Sequence, residues 1–332
     1  MNWRLWIGVL ISVIFLYISF YEIDFYRLGQ ALKTANYFYL LPVAILYYLT
    51  YVFRAFRWYY LMEPIKSIGF FSLFSATVIG FMANLILPAR MGEFVRAYQI
   101  GKTERISKSA SFATIVIERL LDGFTVLGVL IIVLMLLKIP EDKAFIGQVL
   151  RKGGYFTLLF YLGIIAFLFL LRLKTKKIIN LINRSLFFLP NRISRTVLDL
   201  ISSFTEGIHF SGGLRRISLI IFCSIIIWAT AIAAVFMAAL SFDVYLSVVA
   251  SMFVTVMIVF GVMVPSAPGF IGTYHAACLY ALLFYNFPKE KALSIAIVMH
   301  ASFFFPTMTL GLILLARQKI TLKELKGVSQ NI

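Results

Sequence analysis

Long apolar runs flanked by charged residues alternate along the chain with short polar connections. Six runs are near the ~20 residues that a helix needs to cross a bilayer. They lie at 5–21, 38–62, 109–137, 154–171, 217–240 and 292–316. Two further apolar regions, 68–100 and 246–287, are interrupted by proline and glycine. The pattern predicts an all-α polytopic membrane protein with six full transmembrane helices and two broken regions.

The two interruptions have the same spacing. Pro88 precedes Gly92 by four residues in the first, and Pro265 precedes Gly269 by four in the second. Corresponding breaks in the two halves of a transporter are the trace that an inverted-topology repeat leaves in a sequence. The sequence therefore predicts two re-entrant hairpins in an inverted-repeat arrangement. The alternative is a pair of ordinary proline kinks in spanning helices.

Composition and charge add an orientation. The chain of 332 residues is 61% hydrophobic and 14% charged, and its formal net charge is +17. Cytoplasmic loops are enriched in Lys and Arg. A cytoplasmic N-terminus, with each broken region entering and leaving on one face, puts most of the 31 Lys and Arg residues inside. We therefore expect a plasma membrane protein with both termini cytoplasmic, the first hairpin entering from the inner face and the second from the outer face.

The domain organisation is simple. Residues 1–332 are predicted to form a single integral-membrane domain that begins with an uncleaved span. The connection 174–216 combines basic residues with aliphatic residues at helical spacing, which predicts amphipathic helices on the inner leaflet. Its positive charge is expected to bind anionic lipid. No recognition motif for nucleic acid accompanies the basic charge, so a nucleic-acid partner is not expected.

Motifs for autonomous catalysis are absent from the sequence. It contains no nucleotide-binding loop, no zinc-protease motif and no nucleophile elbow. Cys223 and Cys278 both lie in apolar runs, where a free thiol behaves as a small hydrophobic residue. We therefore expect no metal, no cofactor and no enzymatic activity of the usual soluble classes.

Charged residues inside apolar runs mark the predicted site. The segment 117-IERLLDG-123 places Glu118, Arg119 and Asp122 within one span, where each ionised group costs several kcal/mol unless it is paired or hydrated. Arg54 and Arg57 lie one turn apart in another span and are predicted to line a path for a lipid phosphate. The alternatives are ion pairs that only hold helices together, and arginines that extend to the interface beside an aromatic belt containing Trp58.

The first break adds a second group of charges. Arg90, Glu93 and Arg96 follow Pro88 on the expected start of a new helix. Unpaired amides at a helix N-terminus favour an anion, and Arg90 would add a full positive charge. A surface helix at the membrane interface is the alternative.

The second break predicts a cavity-lining turn. Pro265, Gly269 and Gly272 free the backbone from helical pairing, and a new helix is expected from near Phe270. Tyr274, His275 and His300 are then candidate substrate contacts. His275 is also a candidate proton carrier, and a structural histidine is the alternative for both histidines.

With these residues the sequence resembles the lysylphosphatidylglycerol synthase transmembrane family over about residues 3–316. The resemblance is carried by 54-RAFRW-58, 84-NLILPARMGEFVRAY-98, 118-ERLLDG-123, 265-PSAPGFIGTYHAA-277 and 299-MHASFFFPTMTLGLILL-315. It implies a bundle with two re-entrant segments and lipid translocation between leaflets. The soluble aminoacyl-transfer domain of the full synthases is not present in these 332 residues, so synthesis of lysyl-lipid is not expected. Family members often carry an acidic residue where this chain has His275.

Three functions are compatible with these observations. The leading hypothesis is a transporter or flippase for an anionic phospholipid or a polyprenyl-phosphate-linked lipid, so that membrane lipids are the expected partners. A membrane enzyme that modifies a lipid head group, with Glu118, Asp122 or His275 as general base, is the second. A scaffold that positions a partner synthase or glycosyltransferase through its basic connection is the third.

Overall fold

The computed structural model describes residues 3–87, 90–137, 144–173, 213–318 and 324. All regular structure in these ranges is helical, with eleven α-helices and short 3-10 turns at Tyr37–Tyr39 and Pro268–Phe270. The α-helices are α1 Trp3–Phe20, α2 Phe25–Thr34, α3 Leu40–Met62, α4 Phe70–Ile86, α5 Gly92–Thr103, α6 Lys108–Leu136, α7 Ala144–Leu173, α8 Leu214–Leu240, α9 Val248–Met263, α10 Thr273–Leu283 and α11 Lys289–Gln318. Most of the connection 174–216, and Pro88, lie outside the described residues.

Four helical segments among the described residues are long and apolar enough to cross a membrane. They are Tyr37–Met62, Lys108–Leu136, Leu214–Leu240 and Lys289–Gln318. The sequence predicted each of these boundaries to within one helical turn. Residues Trp6–Phe20 and Phe25–Thr34 meet at an angle of 87° and add a fifth candidate if the pair counts as one span. An all-helical membrane protein is confirmed, and six full spans remain a prediction.

The sharp turn after α1 places α2 across the end of the bundle. Asp24 caps α2, because its carboxylate accepts hydrogen bonds from the amides of Tyr26 (2.9 Å) and Arg27 (3.1 Å). Leu28 is buried in the core beneath α2, whereas Phe25 is 68% exposed and Tyr26 75% exposed. An amphipathic helix with exposed aromatic residues is suited to the membrane interface.

The first broken region is a tight helical hairpin. A glycine in each helix allows the close approach: a Cβ on Gly80 would lie 3.0 Å from the Gly92 carbonyl oxygen, and a Cβ on Gly92 would collide with the backbone of Gly80. Asn84 then ties the two helices together, since its side-chain oxygen accepts a hydrogen bond from the Gly92 amide (2.7 Å). The first turn of α5 is thereby fixed against the last turns of α4.

The second broken region has a longer turn. Gly269 (φ 78°) and Gly272 (φ 91°) both adopt left-handed backbone conformations that side chains disfavour. The expectation of a helix from near Phe270 was wrong, because the positive φ of Gly272 delays the start of α10 to Thr273. Residues Pro268–Phe270 instead form the separate 3-10 turn.

Two long helices, α3 and α8, pack closely against each other. The hydroxyls of Thr50 and Thr230 are 2.8 Å apart, and Arg57 donates to the hydroxyl of Ser224 at 3.0 Å. From Thr50 to Arg57 the chain advances along α3, whereas from Thr230 to Ser224 it goes back along α8. The two helices therefore run antiparallel. Other helices of the first half also pack against helices of the second half: α4 contacts α11, and α6 contacts α9.

The remaining helix, α1, covers the second break. A Cβ on Gly8 would lie 2.9 Å from the Ser266 carbonyl oxygen. The hydroxyl of Ser12 accepts a hydrogen bond from the Ala267 amide (2.8 Å), and the Ser12 backbone lies against Gly272. Small residues one turn apart are a usual way to bring a helix backbone close in a membrane.

Candidate functional site

A buried cluster of charges lies where α3, α5 and α6 meet. It contains Arg54 and Arg57 from α3, Arg96 from α5, and Glu118 and Asp122 from α6. All five residues are at most 8% exposed. The tertiary structure thus brings together charges that are up to 68 residues apart in sequence.

Glu118 is the central carboxylate of the cluster and is fully buried. Arg96 donates to both of its oxygens, at 2.9 Å and 3.0 Å, which is the paired geometry that a guanidinium suits best. The guanidinium of Arg119 also contacts Glu118. Arg57 and Arg54 approach the same carboxylate at 3.7 Å and 3.9 Å. Four arginines therefore surround one acid.

Asp122 balances the two arginines of α3. Its oxygens lie 2.9 Å from Arg54 and 2.9 Å from Arg57, and 3.3 Å from Arg119. Arg57 uses another nitrogen to reach Ser224 on α8 (3.0 Å), so the cluster also bonds to the second half of the chain. The alternative that Arg54 and Arg57 extend to the interface is wrong, because they are 8% and 0% exposed.

Aromatic rings support the guanidinium groups. Arg96 lies over the ring of Trp58 at 4.1 Å, and Trp58 is fully buried with its indole N–H bonded to Thr114 at 2.8 Å. The assignment of Trp58 to an interfacial belt was therefore wrong. Arg54 and Arg119 both lie over Phe81, at 5.0 Å and 5.7 Å. Sequence reasoning missed Phe81, which sits among many apolar aromatic residues with no signal that distinguishes it.

One arginine of the cluster remains open. The side chain of Arg119 is 33% exposed, and its nearest oxygen on Glu93 is 4.0 Å away. Arg90, which is exposed, lies within electrostatic range of both residues. With Arg119, Glu93 and Arg90 added, the cluster holds five arginines and three carboxylates, so the positive charges exceed the negative charges by two.

Several polar atoms in the cluster have no hydrogen-bond partner within the described part of the chain. They include the Nε atoms of Arg57, Arg96 and Arg119 and one oxygen of Glu93. Buried polar atoms normally find partners. The open Arg119 and these unpartnered donors together give the cluster a capacity for a further anion.

Arg90 connects the two breaks. It precedes α5 with a positive φ of 54°, and its guanidinium donates to the carbonyl oxygen of Val262 in α9 at 2.6 Å. The same guanidinium lies 5.7 Å from the ring of Phe270. Gly269 also faces the Leu85 carbonyl oxygen at the end of α4. The turns of both broken regions therefore meet each other.

The predicted residues of the second break form a separate polar group. A ring nitrogen of His300 lies 2.7 Å from the carbonyl oxygen of Gly269, and the amide of Gly272 donates to the ring of His275 at 3.4 Å. The ring of Tyr274 lies 4.9 Å from that of His300. Pro265 is exposed in the turn after α9. These residues line the second break and are not part of the charged cluster.

Metal binding has no support among the described residues, where no three His, Cys, Asp or Glu side chains are grouped as ligands. The chemistry that the two groups offer is recognition of an anion by guanidinium groups, beside a histidine pair. The fold and this cluster define a polytopic helical membrane protein with a buried arginine-rich cluster in its first half, beside an exposed arginine, Arg90, that contacts the second helix break.

The chain belongs to the family described as the lysylphosphatidylglycerol synthase TM region, whose model matches residues 5–311. This confirms the resemblance on which the expectation of a membrane lipid-related function rests. No solved structure matches the chain.

Curated relatives match shorter stretches. A UPF0104 membrane protein of Methanocaldococcus jannaschii is 31% identical over 117 residues, which are 34% of this chain and 35% of the relative. A UPF0104 membrane protein of Methanothermobacter thermautotrophicus is 31% identical over 101 residues, 30% of each chain. The glycosyltransferase AglD of Haloferax volcanii is 28% identical over 149 residues, 44% of this chain and 24% of AglD. The alignments thus span about a quarter to a third of each of these relatives.

Proposed function

We propose that this protein moves an anionic phospholipid, or a lipid linked to a polyprenyl phosphate, between the two leaflets of a membrane. The observation that carries the proposal is the excess of arginine over carboxylate in the cluster, together with Arg90, which contacts the second helix break. Buried charges in a membrane protein are expensive and usually mark the path of a polar group. A phosphate supplies the negative charge that this cluster lacks.

An inverted repeat explains how the site is reached from both sides. In each half a long helix is followed by a broken hairpin and another long helix: α3, α4–α5 and α6 in the first, and α8, α9–α10 and α11 in the second. The antiparallel contact of α3 with α8 supports opposite orientations for the halves. The reciprocal contacts of α4 with α11 and of α6 with α9 support the same symmetry. We infer that the hairpins are re-entrant and enter from opposite leaflets.

The residues of the cluster divide into two roles. Arg119 and Arg90 are the more exposed arginines, and they contact the phosphate. Arg54, Arg57 and Arg96 lie deeper and keep the site positive. This order differs from the prediction that Arg54 and Arg57 themselves line the path of the phosphate.

The acids of the cluster hold the arginines in the empty state. Glu118 and Asp122 already pair with them in the structure, and Glu93 faces Arg119. Pairing lowers the cost of burying four guanidinium groups without a ligand. A phosphate would draw Arg119 away from these acids, because its two or more oxygens accept the fork of donors better than a shared carboxylate.

The relatives bear on substrate and partner. The Haloferax relative is a glycosyltransferase, and only a quarter of it aligns with this chain. This likeness supports a sugar carried on a lipid phosphate as the substrate class. A partner glycosyltransferase or synthase would supply or accept that lipid. The plasma membrane, with both termini cytoplasmic, is the proposed location.

Lipid transfer in reconstituted vesicles tests the proposed function. The assay follows a fluorescent anionic phospholipid between leaflets for the purified protein and for Arg119→Ala and Arg90→Ala. We expect each variant to lose at least about tenfold in rate, since a charge-assisted hydrogen bond contributes about 1.5–3 kcal/mol. Arg27→Ala is the matched control, because the side chain of Arg27 in α2 is 75% exposed and lies outside the cluster.

The outcomes separate clearly. Unchanged transfer in both site variants, with correct folding shown by gel filtration, would remove the proposed function. A chemically altered lipid after incubation with the purified protein would replace it with a head-group-modifying enzyme.

A further inference from the structure

Two histidines that are 25 residues apart in sequence meet at the second break. His275 lies in the first turn of α10 and His300 in the middle of α11, and their ring centroids are 4.7 Å apart. Each residue is 8% exposed. No described carboxylate lies within ion-pairing distance of either ring.

Each histidine holds one glycine of the turn. A carbonyl oxygen can only accept, so the nitrogen Nε2 of His300 that lies 2.7 Å from Gly269 carries a proton. The nitrogen Nδ1 of His275 accepts from the amide of Gly272 at 3.4 Å, so its proton resides on Nε2. His275 is therefore neutral in this arrangement, and Nδ1 is the nitrogen at which the His300 ring would gain a proton.

The two rings respond differently to an added proton. His300 can gain a proton on Nδ1 and keep its bond to Gly269, which then becomes charge-assisted. His275 can gain one on Nδ1 only by losing the bond from Gly272, and the positive end of α10 opposes a positive charge there. His300 is therefore the site at which a proton enters.

The surroundings allow only one such charge. The titratable group in ring contact with the pair is Tyr274; Tyr47 and Cys278 lie beside Tyr274, and Arg90 lies beyond Phe270. Tyrosine and cysteine are neutral near pH 7, and Arg90 is positive. Helices α4 and α9 contain no titratable residue, and α1 presents the hydroxyl of Ser12. A second proton on the neighbouring ring would meet a like charge with no acid to offset it.

A short path connects the histidine pair to the charged cluster. His300 holds Gly269, which is followed directly by Phe270, and the Phe270 ring lies 5.7 Å from the guanidinium of Arg90. Arg90 is one of the two arginines assigned to the phosphate. A change in the turn at Gly269 would therefore move a contact of the proposed substrate.

We propose that His275 and His300 together bind a single proton, and that its uptake and release are coupled to movement of the anionic lipid. The coupling rests on the proposed function, whereas the proton site does not. In the binding step an N–H bond forms at Nδ1 of His300 with a proton from water. In the release step the same bond breaks toward water on the opposite side.

Nitrogen NMR of labelled histidine tests the proton site directly. The chain has three histidines, so His209→Gln leaves only the pair. In lipid nanodiscs, titrated over about pH 5 to 8 where histidine normally changes charge, we expect the His300 ring to take up one proton per protein and the His275 signal to respond at the same pH without a proton of its own. Single variants His275→Gln and His300→Gln should each leave a ring that titrates at a different pH. Two independent titrations that match those single variants, or no titration in this range, would overturn the proton site.

Vesicles with a pH gradient test the coupling. With the membrane potential clamped, one coupled proton should change the steady-state lipid distribution about tenfold per pH unit, since one pH unit corresponds to about 1.4 kcal/mol per proton. In the double variant His275→Gln/His300→Gln, the steady-state lipid distribution should no longer depend on the gradient, whatever rate of transfer remains, and His209→Gln should behave as the unaltered protein.

The same assay separates the two proposals. Transfer by the unaltered protein that does not depend on the gradient overturns the coupling and leaves the lipid translocator in place. If the unaltered protein moves no lipid under any gradient, the proposed function and the coupling both fail, and the NMR titration alone decides the proton site.

Discussion

Arg96 binds Glu118 through two parallel hydrogen bonds of 2.9 Å and 3.0 Å, and the ring of Trp58 covers its guanidinium at 4.1 Å. Neither residue has more than 2% of its surface exposed. The pair joins α5 to α6 and fixes the second helix of the first hairpin to a long helix. The free energy of unfolding that this pair contributes therefore measures how firmly the hairpin is held against α6.

Loss of Glu118 should destabilise the protein more than loss of Arg96. Glu118→Gln leaves several arginines facing one another, and removing one partner of a buried ion pair costs about 3–5 kcal/mol. Arg96→Met keeps Glu118 paired with Arg119 and should cost less. Denaturant unfolding in detergent micelles, followed by tryptophan fluorescence, measures both values.

The control for this comparison is a surface pair of the same length. Lys66 lies 2.9 Å from Glu104, and its side chain is 43% exposed. Glu104→Gln should change the free energy of unfolding by at most about 1 kcal/mol. Equal losses for Glu118→Gln and Glu104→Gln would contradict the buried network.

The close packing of the first hairpin depends on Gly80. A Cβ at this position would collide with the side chain of Arg96 and approach the Gly92 carbonyl oxygen to 3.0 Å. Gly80→Val should therefore cost about 1–3 kcal/mol through overpacking and displace Arg96. Gly128→Val is the matched control, since a Cβ on Gly128 meets nothing within 4 Å. Thermal unfolding of the two variants in the same detergent compares them, and similar midpoints would be evidence against this packing.

The antiparallel contact of α3 with α8 predicts a disulfide. The hydroxyls of Thr50 and Thr230 are 2.8 Å apart, so Thr50→Cys/Thr230→Cys should oxidise readily. The native Cys223 and Cys278 are first replaced by alanine. Thr50→Cys/Ser224→Cys is the control, because Ser224 lies nearly two helical turns from Thr230, about 9 Å along the axis of α8. A mobility shift on non-reducing gels detects the bond, and efficient oxidation of the control pair instead would refute the register of the two helices.

The charge asymmetry predicts a membrane topology that is testable with single cysteines in the same background. Tyr245 is 84% exposed after α8, and a cysteine there should react with an impermeant maleimide added outside intact cells. Lys102, exposed near the end of α5, should be labelled only after the cells are opened. The opposite labelling would invert the orientation, and labelling of both positions from outside would exclude the proposed hairpin arrangement.

The sequence by itself determined where four long helices lie and that two apolar regions are broken. The long apolar runs fix the spans because a bilayer rewards about 20 consecutive apolar residues whatever their neighbours are. The glycines at 269 and 272 fix the second turn because few other residues adopt their positive φ. Isolated charges such as Glu118 were also visible, since a charge in an apolar run needs a partner somewhere.

The tertiary structure alone decided which charged residues pair with one another. Hydrophobic periodicity does not encode which arginine faces which acid, because helices separated by 22 to 68 residues can pack in many registers. Only the packing of α3, α5 and α6 buries Arg54 and Arg57 and leaves Arg119 open. In the same way, only the packing of α10 on α11 brings His275 to His300. Such contacts depend on side-chain geometry between distant helices, which local sequence patterns do not specify.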